Sequence, residues 1–298
     1  MILALLRSMR PKQWTKNLLV FAGLLFTIEQ LHSADSFWRV AAAFVLFCMV
    51  SGAVYVLNDA ADANRDRYHP TKRKRPIASG VVPIPIAVVF GVAVAGASVW
   101  VAFRLDYFFG LILAAYLLLT TAYSVLLKHW VIVDLLVIAA GFVIRAVAGA
   151  VVIHVTISEW FLLCTTLLAL FLGLAKRRHE LTTLEDGAAN HRKILEEYSV
   201  GFLDQMITIT AAAALMAYSL YTVAPVSEAA VRHPYAARHP YMMMATIPFV
   251  IYGMFRYLYL IHMQNAGGQP EQVLLDDKPL LLDIALWAGA VALILKFG

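Results

Sequence analysis

Charged residues are scarce in this sequence, since Asp, Glu, Lys and Arg make up only 14% of its 298 residues. Ordinary soluble domains carry about 25%. Hydrophobic residues reach 61%, and the mean hydropathy is +0.74. The composition excludes an ordinary soluble domain and indicates a membrane protein.

Cysteine and the common catalytic motifs are also nearly absent. The two cysteines, Cys48 and Cys164, lie in apolar runs, so nothing suggests a disulfide framework or a metal cluster. No HExxH, GxSxG or Walker pattern occurs. The N-terminal MILALLRSMRPKQW does not read as a signal peptide, because its charges follow the apolar residues and no small-residue cleavage site appears.

What the sequence has instead is a series of continuous apolar runs, many of them long enough to cross a bilayer as a helix. They predict an all-α polytopic membrane protein of about nine transmembrane helices, forming a single domain over residues 1–298. The predicted spans are 18–31, 38–57, 84–103, 107–127, 131–152, 159–175, 203–225, 242–263 and 279–297.

The positive charges orient these spans. Most lysines and arginines fall on one side, which the positive-inside rule assigns to the cytoplasm. We therefore expect a multi-pass protein of the plasma (inner) membrane with a cytoplasmic N-terminus. The two long inner loops, about 64–83 and 176–202, are the most polar parts of the chain, so the active site is expected on that side.

The first inner loop is preceded by acids and carries bases. Asn58, Asp59, Asp62 and Asp66 share one helical face by their spacing. Such oxygen groups suit Mg²⁺, which commonly bridges one or two carboxylates to substrate phosphates. Basic side chains from the KRKR run that follows would hold the other phosphate oxygens. Two plainer interpretations stay open: the acids balance the basic loop, or the bases only set topology.

The pattern N-D-x-x-D-x-x-x-D, followed by R-P-I-A-S-G, resembles the first aspartate-rich motif of the UbiA superfamily of intramembrane prenyltransferases. The resemblance covers essentially the whole chain. It implies a UbiA-like helical bundle whose active-site cavity faces the cytoplasm. It also implies that Asp59, Asp62 and Asp66 hold Mg²⁺ on a diphosphate and act in catalysis.

The second inner loop departs from the usual pattern of that superfamily. Lys176, Arg177, Arg178 and His179 stand where a second set of acids is expected, with Glu180 as the nearby carboxylate. This KRRHE segment, with RPKQWTKN at residues 10 to 17, is similar to the decaprenyl-phosphate phosphoribosyltransferase branch. That similarity implies transfer of phosphoribosyl from 5-phosphoribosyl 1-diphosphate to polyprenyl phosphate. The lipid product would serve as a precursor for cell-envelope arabinan or related glycans.

The predicted site follows from both loops and this resemblance. Glu180 joins the three aspartates as a catalytic residue that orients a base or the ribose hydroxyls. The expected partners are 5-phosphoribosyl 1-diphosphate, polyprenyl phosphate and membrane lipids, with no nucleic acid, and a homo-oligomer stays open. The predicted substrate-binding residues are Lys16, Asn17, Asn58, Lys72, Arg73, Arg75, Tyr123, Lys128, Lys176, Arg177, Arg178, Arg192 and Tyr198.

Two alternative functions stay open. The first is an ordinary prenyltransferase, for which Glu185–Asp186 is a weak second acidic cluster. The second is a transporter or lipid carrier, which would need paired interruptions of its helices. Arg145, mid-span, is expected to face the bundle interior, either bonding carbonyls or entering the cavity. Arg256 is expected to snorkel to the interface, and the RHPYAARHPY segment, residues 232 to 241, receives no function.

Overall fold

The computed structural model describes residues 1–26, 34–68, 70–184, 194, 197–223, 242–264, 268, 273 and 276–297. These residues form helices and turns, and no β-strand occurs among them. The all-α prediction is confirmed. The α-helices of at least four residues in this part of the chain are α1 (Ile2–Ser8), α2 (Ala22–Phe26), α3 (Ala34–Ala61), α4 (Ala63–Asp66), α5 (Ile84–Leu105), α6 (Tyr107–Val125), α7 (Val133–Val151), α8 (Glu159–Leu184), α9 (Val200–Val223), α10 (Ile247–Met263) and α11 (Lys278–Phe297).

Seven helices of the described residues are long and apolar enough to cross a membrane. They are α3, α5 to α9, and α10 together with the 3₁₀ turn before it, Met242–Thr246. They match the second to eighth predicted spans. The ninth predicted span coincides with α11, which is not among the seven, so the count of nine stays a prediction.

The first predicted span, 18–31, differs from a plain α-helix. Pro11–Phe21 form a 3₁₀ helix, α2 follows it, and residues 27–33 lie outside the described residues. A 3₁₀ helix is narrower than an α-helix, and this one runs against α7. A side chain at Gly149 would place its Cβ 1.8 Å from the carbonyl oxygen of Val20, so only glycine allows this approach.

The chain divides into two compact units, Met1–Ile157 and Ser158–Gly298. The predicted single domain stays a prediction. In the first unit, α3 packs along α5, α6 and the 3₁₀ helix. Phe47 lies at the centre of the core, with its ring centroid 5.1 Å from that of Tyr116 and 6.1 Å from that of Phe109. The short α5–α6 turn is capped by Asp106, whose carboxylate accepts from the Phe109 N–H at 2.8 Å.

In the second unit, α8 packs along α9, and α10 packs against α11. Arg256 was expected to snorkel to the interface, which stays a prediction; its guanidinium donates to both carboxylate oxygens of Asp277, at 3.1 and 2.8 Å. These hydrogen bonds hold the pKa of Asp277 below its usual range. Asp277 also accepts from the Leu280 N–H at 2.9 Å and so caps the start of α11.

Candidate functional site

An ion cluster forms where α3 ends in the first unit. Asp59 lies in the last turn of α3, and Asp66 ends α4. Helical hydrogen bonds continue through the junction, from the Asp62 N–H to the Asn58 carbonyl and from the Asp66 N–H to the Asp62 carbonyl, both 2.9 Å. Residues seven apart therefore return to the same side. Both Asp59 and Asp66 are only 4% exposed.

A single arginine nitrogen bridges these two carboxylates. The Arg75 Nη1 donates to Asp66 at 2.6 Å and to Asp59 at 3.1 Å. The chain reaches this position because the RPIASG segment is anchored by the buried side chains of Ile77 and Val82, and turns at Gly80, whose φ is +81°. The bridge shows that a cation fits between the two acids.

Arg10 supplies a second cation, and sequence reasoning assigned it no role. Its Nη2 donates to Asp59 at 2.6 Å, and its guanidinium lies 4.8 Å from the ring centroid of Tyr55. The Arg10 backbone adopts φ 53°, in the left-handed region that non-glycine residues seldom occupy. The RPKQWTKN similarity marked this segment, but the backbone turn that directs Arg10 to Asp59 leaves no sequence signal.

The other two polar residues of the predicted stripe lie differently. The Asp62 side chain is exposed, and the Asn58 amide donates to the Ser124 Oγ on α6 at 2.9 Å. Nearby on the chain, Tyr123 and Lys128 are half-buried. The structure thus brings two of the three predicted carboxylates together, not three.

This geometry bears on the predicted metal. Among the described residues, no group of three or more His, Cys, Asp and Glu side chains is placed to hold a metal ion. Mg²⁺ needs less from a protein, since one or two carboxylates with substrate phosphates and water usually complete its octahedral shell. Asp59 and Asp66 have the right chemistry and already flank a cation. The site therefore fits Mg²⁺ bound together with a phosphorylated substrate.

The remaining basic residues of the first unit are more dispersed. Lys72 is half-buried in the 3₁₀ turn Lys72–Lys74, while Arg73 is exposed and Lys16 is half-buried. Asn17 was predicted to bind phosphate, but the structure places it inside the bundle, 1% exposed. Its Oδ1 accepts from the Arg145 Nε at 2.7 Å, because Arg145 must find polar partners within the membrane.

The KRRHE segment forms the end of α8 in the second unit. The Arg177 side chain is only 3% exposed, and its Nη1 lies 2.5 Å from the Glu180 Oε2. Lys176 is exposed, with its Nζ 4.0 Å from the Glu180 Oε1. The segment thus presents two cations around one carboxylate, as its i, i+3 and i, i+4 spacing favours.

Arg178 and His179 differ from their neighbours. The Arg178 Nε donates to the Asp204 Oδ1 on α9 at 2.5 Å, which ties α8 to α9. The His179 Nδ1 is buried without a hydrogen-bond partner among the described residues, and Gly268 packs directly on its ring. Arg178 was predicted to bind phosphate; here it forms an ion pair with Asp204 between two helices, and its phosphate role stays a prediction.

The rest of the second predicted loop is only partly described. Tyr198 is 4% exposed and stacks on Phe202, with ring centroids 6.3 Å apart. Arg192, the Glu185–Asp186 pair and the RHPYAARHPY segment lie outside the described residues. The predictions made for them stay predictions.

Replacing Arg178 by Ala is expected to destabilise the protein by about 1–3 kcal/mol, the range for hydrogen bonds to charged groups. The loss would follow because Asp204 keeps its charge but loses its arginine partner, with the His262 Nε2, at 3.2 Å, remaining beside it. Thermal unfolding in detergent, followed by intrinsic fluorescence, measures it. Lys176→Ala, at an exposed position of the same helical turn, should unfold at the wild-type temperature. An unfolding temperature of Arg178→Ala equal to that of Lys176→Ala would contradict this role.

The fold and the ion cluster define a class: an integral membrane protein of apolar helices, with buried acids paired to half-buried arginines at a helix end. A family model described as "UbiA prenyltransferase family" matches residues 18–273. The chain belongs to that family.

Relatives and solved structures agree with this assignment. Two decaprenyl-phosphate phosphoribosyltransferases are similar to the chain over nearly its full length. The enzyme of Mycolicibacterium smegmatis is 34% identical, and the similarity covers 100% of this chain and 94% of the relative. That of Corynebacterium glutamicum is also 34% identical, with 97% and 86% covered. A UbiA homologue from Archaeoglobus fulgidus, solved with GPP and Mg²⁺, has a TM-score of 0.70 at 15% identity, covering 98% of this chain and 99% of that one.

Proposed function

We propose that the protein transfers the 5-phosphoribosyl group from 5-phosphoribosyl 1-diphosphate to a polyprenyl phosphate and releases diphosphate. Relatives similar over nearly the whole chain are named decaprenyl-phosphate phosphoribosyltransferases, which supports a phosphoribosyl transfer to a polyprenyl phosphate. The observation that carries the proposal is the asymmetry of the charged segments. Two carboxylates and two arginines meet at the end of α3, while the end of α8 presents cations around Glu180. The diphosphate and the 5-phosphate of the donor, together with the phosphate of the acceptor, need more cations than a single prenyl diphosphate does.

Asp59 and Asp66 would hold Mg²⁺ on the diphosphate of the donor, with the exposed Asp62 acting through water. When bound, Mg²⁺ neutralises charge that develops on the leaving diphosphate. Arg75 and Arg10 would turn from the aspartates to the diphosphate oxygens, since arginine pairs well with phosphate.

The bond between the ribose C1 and the diphosphate oxygen breaks, and the electron pair leaves with diphosphate. An oxygen of the lipid phosphate forms the new bond to C1 from the opposite face, so the configuration at C1 inverts. A phosphate monoester is mostly doubly ionised at neutral pH, because its second pKa is about 6. The nucleophile therefore needs no strong general base. Lys176 and Arg177 would bind phosphate, and Glu180 would orient the ribose hydroxyls.

The chain is an integral membrane protein. We infer that it lies in the plasma membrane with its N-terminus and both basic segments in the cytoplasm, where a water-soluble donor is available. The acceptor's polyprenyl chain would stay in the bilayer. The positive-inside asymmetry supports this orientation.

A donor panel tests the function. Purified protein in nanodiscs with Mg²⁺ receives either 5-phosphoribosyl 1-diphosphate with polyprenyl phosphate, or prenyl diphosphate with a set of aromatic acids. Mass spectrometry of the lipid extract should show polyprenylphosphoryl-5-phosphoribose in the first reaction and no prenylated product in the second. The reverse result would make the chain an ordinary prenyltransferase.

Glu180→Gln is expected to lower kcat/KM for 5-phosphoribosyl 1-diphosphate by about 10- to 100-fold, the range for a lost hydrogen bond to a charged group. The KM for polyprenyl phosphate should stay within about twofold, because Glu180 is proposed to face the ribose. Glu159→Gln, at the exposed start of the same helix, is the control. Equal losses for both substrates, together with a lowered unfolding temperature, would indicate that Glu180 only supports the buried Arg177.

A further inference from the structure

A cavity in the first unit lies apart from the contacts of the ion cluster. It has a volume of about 270 Å³ and opens between α1 and the segment 74–81. We refer to it as the α1 pocket. Six residues of its lining are Leu3, Ala4, Arg7, Lys74, Ser79 and Val81.

The α1 pocket carries two positive charges without a counter-ion. Arg7 and Lys74 both line it and are exposed. Within the described part of the chain, neither side chain forms a hydrogen bond or an ion pair. Arg10 and Arg75, only one to three residues away along the chain, are paired with Asp59. Since no acid lines the α1 pocket, its charge favours an anion.

The same pocket has an apolar wall that the protein core does not use. Leu5 and Met9 pack α1 into the core, leaving Leu3 and Val81 82% and 61% exposed. A free phosphate would engage the cations and leave these side chains in water. A lipid with an anionic head group suits both the charged and the apolar part of the pocket. Its phosphate would contact Arg7 and Lys74, and its acyl chains would cover the apolar wall.

We propose that the α1 pocket binds the head group of an anionic phospholipid of the surrounding bilayer, with the phosphodiester between Arg7 and Lys74 and near the Ser79 hydroxyl. The occupant is distinct from the reacting lipid. Lys74 lines the pocket, whereas the adjacent Arg75 contacts Asp59 and Asp66, so the segment separates the two sites. A lipid bound here would also link α1 to the segment that positions Arg75.

Native mass spectrometry of the full chain, released from nanodiscs containing phosphatidylglycerol and phosphatidylcholine in equal amounts, tests the site. We expect wild-type protein to retain phosphatidylglycerol preferentially. The double variant Arg7→Gln/Lys74→Gln should weaken this retention by about 25-fold, since each basic side chain near an anionic membrane contributes roughly a factor of five. The control Lys12→Gln/Arg65→Gln removes two exposed charges that do not line the pocket and should retain the lipid.

A second variant tests the cavity without changing charge. Ser79→Trp places a ring at the exposed rim of the α1 pocket and should also reduce retention, with an unchanged unfolding temperature as the check on folding. Equal retention in the Arg7/Lys74 variant and its control would overturn the proposal. So would displacement of phosphatidylglycerol by equimolar farnesyl phosphate, which would make the α1 pocket the acceptor site, or by millimolar inorganic phosphate, which would show that the apolar wall is not used.

Discussion

Asp59→Asn is expected to reduce turnover by about a thousandfold, because a catalytic metal supplies several kcal/mol of charge stabilisation. The amide keeps the size of the carboxylate but removes the charge that Arg10 and Arg75 now neutralise. Without that charge, Asp66 would be the remaining buried carboxylate of the ion cluster to hold Mg²⁺, with Asp62 acting through water. Initial rates across a Mg²⁺ titration measure the effect, and the Mg²⁺ concentration for half-maximal rate should rise.

Two further variants make this prediction specific. Asp62→Asn changes an exposed side chain that would act through water, so a smaller loss of about 10- to 100-fold is expected. Asp35 lies in the first turn of α3, the helix that carries Asp59, and its side chain is 77% exposed. Asp35→Asn should therefore keep wild-type turnover. Wild-type rates for Asp59→Asn and Asp62→Asn at saturating Mg²⁺ would contradict the assignment of the metal.

Arg145→Leu is expected to have the largest effect on stability. Arg145 donates to the Asn17 Oδ1, the Gly141 carbonyl and the Tyr116 hydroxyl, at 2.7, 2.7 and 2.6 Å. It therefore joins the 3₁₀ helix, α6 and α7. Leucine would leave the Asn17 and Tyr116 oxygens without this donor, at about 1–3 kcal/mol each. A lowered unfolding temperature and a reduced yield of monodisperse protein are the expected results.

Arg145→Lys should recover only part of that stability, because a lysine ammonium lacks the planar fork that reaches three acceptors. Arg104→Leu is the matched control, because Arg104 is exposed. Its contact with Trp100 is a distant one, with the guanidinium 6.0 Å from the ring centroid. If Arg145→Leu unfolded at the wild-type temperature but lost turnover, Arg145 would belong to the reaction cavity and not to the framework.

The sequence was sufficient for the class of fold and for the proximity of two predicted acids, Asp59 and Asp66. Continuous apolar runs can be read directly from the sequence, and seven of the predicted spans match helices that are long and apolar enough to cross a membrane. The pairing of Asp59 with Asp66 follows from helical spacing alone. The exposure of Asp62 could not be predicted in this way. A residue that shares a helical face with Asp59 and Asp66 can still point to the solvent-exposed edge of that face.

The contacts between distant segments were beyond sequence reasoning. Arg10 reaches Asp59 through a left-handed backbone turn, and Asn17 meets Arg145 across 128 positions of the chain. Apolar patterning gives the depth of a residue in the membrane but not the rotation of its helix about its axis. The contact between Asn17, which the resemblance had pointed to as a phosphate ligand, and Arg145 depends on such a rotation, as does the contact between Arg10 and Asp59.

The most direct test of the proposed function follows two labels of the donor. 5-Phosphoribosyl 1-diphosphate labelled with ¹⁴C in the ribose, and separately with ³²P in the diphosphate, is incubated with purified protein, polyprenyl phosphate and Mg²⁺. We expect the ¹⁴C to enter the lipid phase and the ³²P to be released into the aqueous phase as diphosphate, one diphosphate for each ribose transferred. EDTA should abolish both the transfer of ¹⁴C and the release of labelled diphosphate. Lipid that remains free of ¹⁴C, in a preparation that prenylates an aromatic acceptor, would contradict the proposal.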